Sequence, residues 1–213
     1  MVSPKNAALA GMVGPVVFAL VAVFLTFAQY GFMVGLGWKP LGASDVPWPS
    51  GLALGPLGWL QVLNFTFFGL TLIFFALGLH REVASRGRLA WAGPALLVMS
   101  GVALILAAFK TDPHLMEGPQ TWHGAVHLLA FFLLVLSFVL SLFFWWRRLR
   151  RDPRWRGYAL YTLITAIVYI VLLFASTWQW GFYLFLGVVL AWVEVMAIHL
   201  RSQAEAPSAS RVQ

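Results

Sequence analysis

His123 and His127 stand four residues apart in the stretch Thr121-Trp122-His123-Gly124-Ala125-Val126-His127, and on a helix that spacing sends both rings out on one face. Two imidazoles so placed can approach one ion or one partner. Both fall in the first two turns of an apolar segment, where the helix dipole disfavours imidazolium and favours the neutral form that binds metal. The same neutrality suits a histidine that only packs. Catalytic zinc needs three protein ligands and an open position, and further donors on the same side are Asp112, His114, Glu117 and Asp45. Asn64 lies roughly two turns inside another apolar segment, a depth similar to that of His127 at about 1.5 Å of rise per residue. Its amide can join this cluster or hydrogen-bond to a neighbouring helix.

The remaining polar groups inside apolar segments are few, and each needs a partner because hydrocarbon offers none. Glu194 is expected to snorkel towards Arg201 or to pair with a basic loop. Ser137 and Ser141 read as a close helix contact. His80 and His199 fall at segment ends, where water reaches them.

The elements that carry these residues follow from composition. Of 213 residues, 61% are hydrophobic and 10% charged, far from the roughly 25% charged residues of a soluble domain. The apolar residues form six blocks of about the 20 residues needed to cross a bilayer as a helix. They run over Ala8–Ala28, Pro56–Leu79, Ala90–Phe109, Trp122–Trp146, Gly157–Thr177 and Trp180–Leu200. The expectation is an all-α membrane protein, a single bundle of six transmembrane helices over residues 1–201, with a disordered tail over 202–213. The first block is longer than a secretory signal core and reads as an uncleaved anchor. With no cysteine, the chain has no disulfide, thiolate metal site or cysteine nucleophile.

Charge sets the orientation. Short cytoplasmic loops are enriched in Lys and Arg. One set of connections holds Lys5, Arg81, Arg86, Arg88, the six arginines from Arg147 to Arg156, Arg201 and Arg211, and the other holds only Lys39 and Lys110. Both termini are therefore expected in the cytoplasm, with the histidine pair near the outer surface. The net charge of +7 belongs to these loops and addresses anionic headgroups, above all at Arg147–Arg156, not nucleic acid. Tryptophan prefers the headgroup level, so Trp38, Trp48, Trp59, Trp122, Trp178 and Trp180 are expected at the outer interface. Trp91, Trp145, Trp146 and Trp155 are expected at the inner one, with Trp192 inside a span.

This combination resembles a family of prokaryotic six-pass membrane proteins, domain of unknown function 998. The matching features are Asn64 followed by Gly69, the Phe109-Lys110-Thr111-Asp112-Pro113 stretch, and Thr121, His123, Gly124 and His127. Ser44-Asp45 is the nearest equivalent of a serine and an acidic residue that members tend to carry after the first span. The resemblance implies the six-pass architecture, a prokaryotic plasma membrane and a polar outer-face cluster. It supplies no activity.

Several functions are compatible with these residues. In the first, Asn64, Asp112, His114, His123 and His127 line an outer pocket that binds a small ligand, a lipid headgroup or a metal, without catalysis. A second is a zinc-dependent intramembrane lipid hydrolase, with His123 and His127 as ligands and Asp112 as ligand or general base. A third is haem-b electron transfer, which requires two histidines at matching depth on facing helices. Transport is a fourth, though broken helices and repeated halves are not evident.

Overall fold

A computed structural model describes residues 3–83, 89–114, 117–176 and 178–205. Arg86, Arg88 and Arg211 of the basic set, Thr177 at the expected end of the fifth block, and residues 206–213 of the tail lie outside the described residues. Helix α1 (Pro4–Ala28) begins where the Ser3 hydroxyl accepts the Asn6 N–H and Pro4 occupies the first turn, which needs no N–H donor. It is followed by a short α2 (Tyr30–Gly35), a 3-10 helix over Ser50–Leu54, and then α3 (Gly58–Glu82), α4 (Ala92–Leu106), α5 (Trp122–Leu149), α6 (Arg156–Ala175) and α7 (Gln179–Glu205). The tail thus stays helical past Arg201, as far as Glu205.

Five of these helices are long and apolar enough to cross a membrane, and α4 is the shorter apolar sixth. The chain is an all-α, multi-pass membrane bundle. At 15 residues, α4 covers about 22 Å of a core roughly 30 Å thick. The expected end at Phe109 is not reached because the N–H groups of Ala108 and Phe109 bond back three residues, to Ile105 and Leu106. That tightens the last turn and turns the chain out of the helix.

The six long elements close a ring: α1 packs on α3 and α7, α3 on α4, α4 on α5, α5 on α6, and α6 on α7. Its interior is aromatic, with Phe68, Phe75, Phe138, Trp145 and Trp192 fully buried. Large apolar side chains such as Leu20, Phe27, Leu129 and Phe174 point outward, as a hydrocarbon surround permits. Where α3 crosses α4, Gly69 and Gly101 lie backbone to backbone, and a Cβ on Gly69 would strike the Gly101 carbonyl. Small residues at such crossings let membrane helices approach. Gly69→Val is expected to separate the pair and cost about 1–3 kcal/mol, read as a lower melting temperature in detergent; an unchanged melt would refute the close crossing.

Serine contacts divide. Ser137 bonds Ser100 of α4 at 2.8 Å, the expected interhelical contact, whereas Ser141 bonds the Phe138 carbonyl of its own helix. Three of the tryptophans expected at an interface, Trp38, Trp145 and Trp155, are buried within the protein. Trp145 and Trp155 belong to the main core cluster, and Trp38 packs with Val46 and Leu52. Glu194 does not meet Arg201, which pairs with Glu205 at 2.9 Å, one turn along the same helix.

At the end of the bundle that carries the arginines, Arg148 is buried and not facing headgroups. Its guanidinium donates to the carbonyls of His80 (2.6 Å), Ala90 (3.3 Å) and Val83, and it meets His80 Nδ1 at 2.8 Å. These are carbonyls at the end of α3 and the approach to α4, left without helical partners. Arg154 is held by Asp152 and Glu82. Arg147, Arg150, Arg151 and Arg156 remain exposed.

Candidate functional site

At the opposite end lies a cavity of about 610 Å³ between the tops of α5 and α7, roofed by two connections. The first, between α2 and α3, is stitched down at both flanks. Trp48 Nε1 donates to Thr26 Oγ1 at 2.8 Å, and Gln29 ties its amide to the Leu52 carbonyl and the Leu57 N–H. On the α7 side, Tyr183 donates to the Pro40 carbonyl and the Gln179 N–H to that of Gly42. Val46 and Leu52 pack with Leu25 and Met33 beneath. Polar tips anchored over an apolar filling hold this loop in one path.

The second connection, between α4 and α5, is ordered by Asp112. Oδ2 accepts the N–H groups of Gln120 (2.8 Å) and Thr121 (3.1 Å), and Oδ1 accepts the Thr121 hydroxyl at 2.7 Å. Thr121 in turn caps α5 by accepting the Gly124 N–H. A carboxylate beside a helix N-terminus also meets the positive end of the dipole. Gly124 makes room for it, since any Cβ there would run into the carboxylate. Burial pushes the Asp112 carboxyl upward, but the bonds from Thr121 and Gln120 outweigh it and hold the group below the ordinary carboxylate range. Because the folded value is depressed, its stabilising contribution is complete above the unfolded value of about 4 and is lost as pH falls through the folded one. Acidification from pH 6 to pH 3 is therefore expected to lower the melting temperature. Asp112→Asn should show a smaller drop over that interval, and an equal drop would assign the effect elsewhere.

The histidine pair turns towards the same connection. His127 Nδ1 lies 2.8 Å from the Phe109 carbonyl and His123 Nδ1 2.9 Å from that of Lys110. A carbonyl only accepts, so each Nδ1 carries the proton. The expected shared face is present, and it serves to staple the strand of chain leaving α4. The two rings then diverge in use. His127 lines the cavity, and its Nε2 accepts from the Ser50 hydroxyl at 2.9 Å. His123 lies outside the lining and shares its Nδ1–H with Thr121 Oγ1 at 2.9 Å.

Of the other expected residues, Asp112 and His114 line the cavity and Asn64 does not. Asn64 donates to the Phe18 carbonyl of α1 at 3.1 Å and to Gln61, which is the interhelical bond weighed as its alternative role. His114 pairs with Asp45 at 3.3 Å and so joins the two roofing connections. Zinc does not find its ligand set: no three His, Asp or Glu residues converge among the described residues. Asp112, with both oxygens accepting structural bonds, is ill placed to act as a base. Nor does a haem pair form, since His80 is bound to Arg148 and His199 stacks on Tyr158 at the arginine end.

Sequence reading missed Ser50 and Gln179 and the apolar half of the wall, Leu128, Phe131, Phe132 and Phe182. Ser50 follows Pro47-Trp48-Pro49, a segment without periodicity to aim it. Phe131 and Phe132 looked like ordinary span residues. Phe132 is 60% exposed while also lining the cavity, about 15 Å along the helix from Trp122.

Residues 49–201, well over half of the chain, match the family described as Protein of unknown function (DUF998). No curated protein and no solved structure matches the chain.

Proposed function

The chain belongs to the family described as Protein of unknown function (DUF998), and from that premise we propose that this membrane protein binds an amphiphilic molecule in the cavity between α5 and α7. The single observation that carries the reading is the composition of the wall. Ser44, Asp45, Ser50, His114 and His127 supply its polar lining, while Leu128, Phe131, Phe132 and Phe182 supply apolar walls from α5 and α7. Apolar walls with a few placed polar groups are the usual make-up of a ligand pocket. A headgroup would take the polar end and an acyl chain the aromatic end, entering past Phe132.

The charge distribution supports both termini inside and the cavity facing out, and the family resemblance suggests the plasma membrane of a prokaryotic cell. Arg147, Arg150, Arg151 and Arg156 then face anionic headgroups of the inner leaflet. Reporter fusions at residue 152 and in the loop near Lys39 test this: a periplasmic-type signal from residue 152 would reverse it.

For binding, the probe is a dansyl-labelled fatty acid titrated into the protein in detergent. Saturable binding is expected, with at least about tenfold weaker affinity in Leu128→Trp, whose indole occupies the cavity. Absence of saturation, or equal affinity in a Leu128→Trp protein with an unchanged melt, would overturn the reading.

A further inference from the structure

We infer that Ser50 and His127 form a nucleophile and base pair that cleaves or transfers the acyl group of an amphiphilic carboxylic ester held in this cavity. The inference rests on the binding reading above and adds a reaction to it. Four observations carry it. Ser50 Oγ lies 2.9 Å from His127 Nε2, within the reach expected of a nucleophile and its base. The Phe109 carbonyl, 2.8 Å from Nδ1, accepts the N–H of that nitrogen and leaves Nε2 as an acceptor. This is the orienting role that a buried carboxylate fills in serine hydrolases. The ring is also steadied by Phe65, edge to face at 6.2 Å. Finally, both residues line the cavity whose lower wall is apolar, so an ester at the junction of head and chain would lie beside the hydroxyl.

Ser50 is 77 residues from His127 in the chain and sits at the head of a 3-10 helix. Gln179 adds a donor to the same wall. Its Oε1 accepts from Trp38 at 3.3 Å, so what its amide can offer a ligand is the NH2 group.

The steps balance without a further reactant but water. Ser50 Oγ attacks the ester carbonyl carbon as its proton passes to His127 Nε2. The tetrahedral species collapses, the bond to the alcohol oxygen breaks, and the Nε2 proton goes to that oxygen. Water then attacks the acyl-serine while His127 takes its proton, the serine ester bond breaks, and Ser50 Oγ recovers a proton from Nε2. An alcohol in place of water gives transfer instead of hydrolysis.

The test uses the full chain in detergent with a long-chain alkyl fluorophosphonate, which reacts with activated serine. Mass spectrometry is expected to find the adduct on Ser50, with none at that position in Ser50→Ala. Labelling should be at least about 100-fold slower in His127→Gln and unchanged in Ser202→Ala, at the far end of α7. Dansyl-fatty-acid binding is measured on the same preparations. Binding without any Ser50 adduct in the wild type overturns the chemistry and leaves the pocket standing, whereas loss of both overturns the two together. Should His127→Gln fail to fold, the wild-type adduct and its position still decide.

Discussion

Replacement of Asp112 by alanine is expected to destabilise the protein by about 3 kcal/mol and to abolish dansyl-fatty-acid binding. The size follows from the three bonds that its carboxylate accepts at the entry to α5. Each net bond to a charged group is worth about 1.5–3 kcal/mol, and the contributions are not additive. Loss of the carboxylate leaves the N–H groups of Gln120 and Thr121 unpaired and frees the Thr121 hydroxyl from its place as helix cap. The connection between α4 and α5 then loses its fixed path, and with it the Phe109 and Lys110 carbonyls on which both histidines depend. Gly124→Ala should act in the same direction by displacing the carboxylate, although it removes no bonding group. Unfolding in graded denaturing detergent measures both. An Asp112→Ala protein within 1 kcal/mol of wild type would show that the loop is held by other means.

The second large effect is expected at the other end of α5. Arg148→Met should cost about 3 kcal/mol or more, because carbonyls of His80, Val83 and Ala90 lose a shared buried donor. Arg148→Lys should recover less than half of this. An ammonium is a compact charge and cannot reproduce the planar fork that reaches several carbonyls at once. If Lys and Arg proved equivalent, charge and not geometry would be the stabilising feature. α5 spans 28 residues, about 42 Å, so once folded the Arg148→Met protein should still bind the dansyl probe.

These two residues illustrate how far one dimension reaches. Asp112 was recognisable as part of a polar cluster at the mouth of a span, and Arg148 as part of a basic loop. Neither sequence position says which backbone groups surround it. Asp112 lines the cavity and also braces the connection into α5. Arg148 belongs to the basic loop by sequence and is buried in the structure. A buried side chain is assigned by the carbonyls and N–H groups that neighbouring helix ends leave unpaired, and those ends meet only after the bundle closes.

What the chain declares by itself is its solvent and its helical spans. Apolar block length against bilayer thickness requires helices, since no other local structure satisfies the backbone in hydrocarbon. The i, i+4 spacing likewise placed His123 and His127 on one face, as observed. The tertiary structure alone decided that the faces serve different ends. It put His127 against Ser50, left His123 on a loop carbonyl, sent Asn64 to the Phe18 carbonyl, and drew Trp145 and Trp155 into the core. The physical reason is rotational: hydrophobicity fixes how deep a residue sits, whereas the direction in which it points depends on ring closure and on loops held by bonds between residues far apart in the chain.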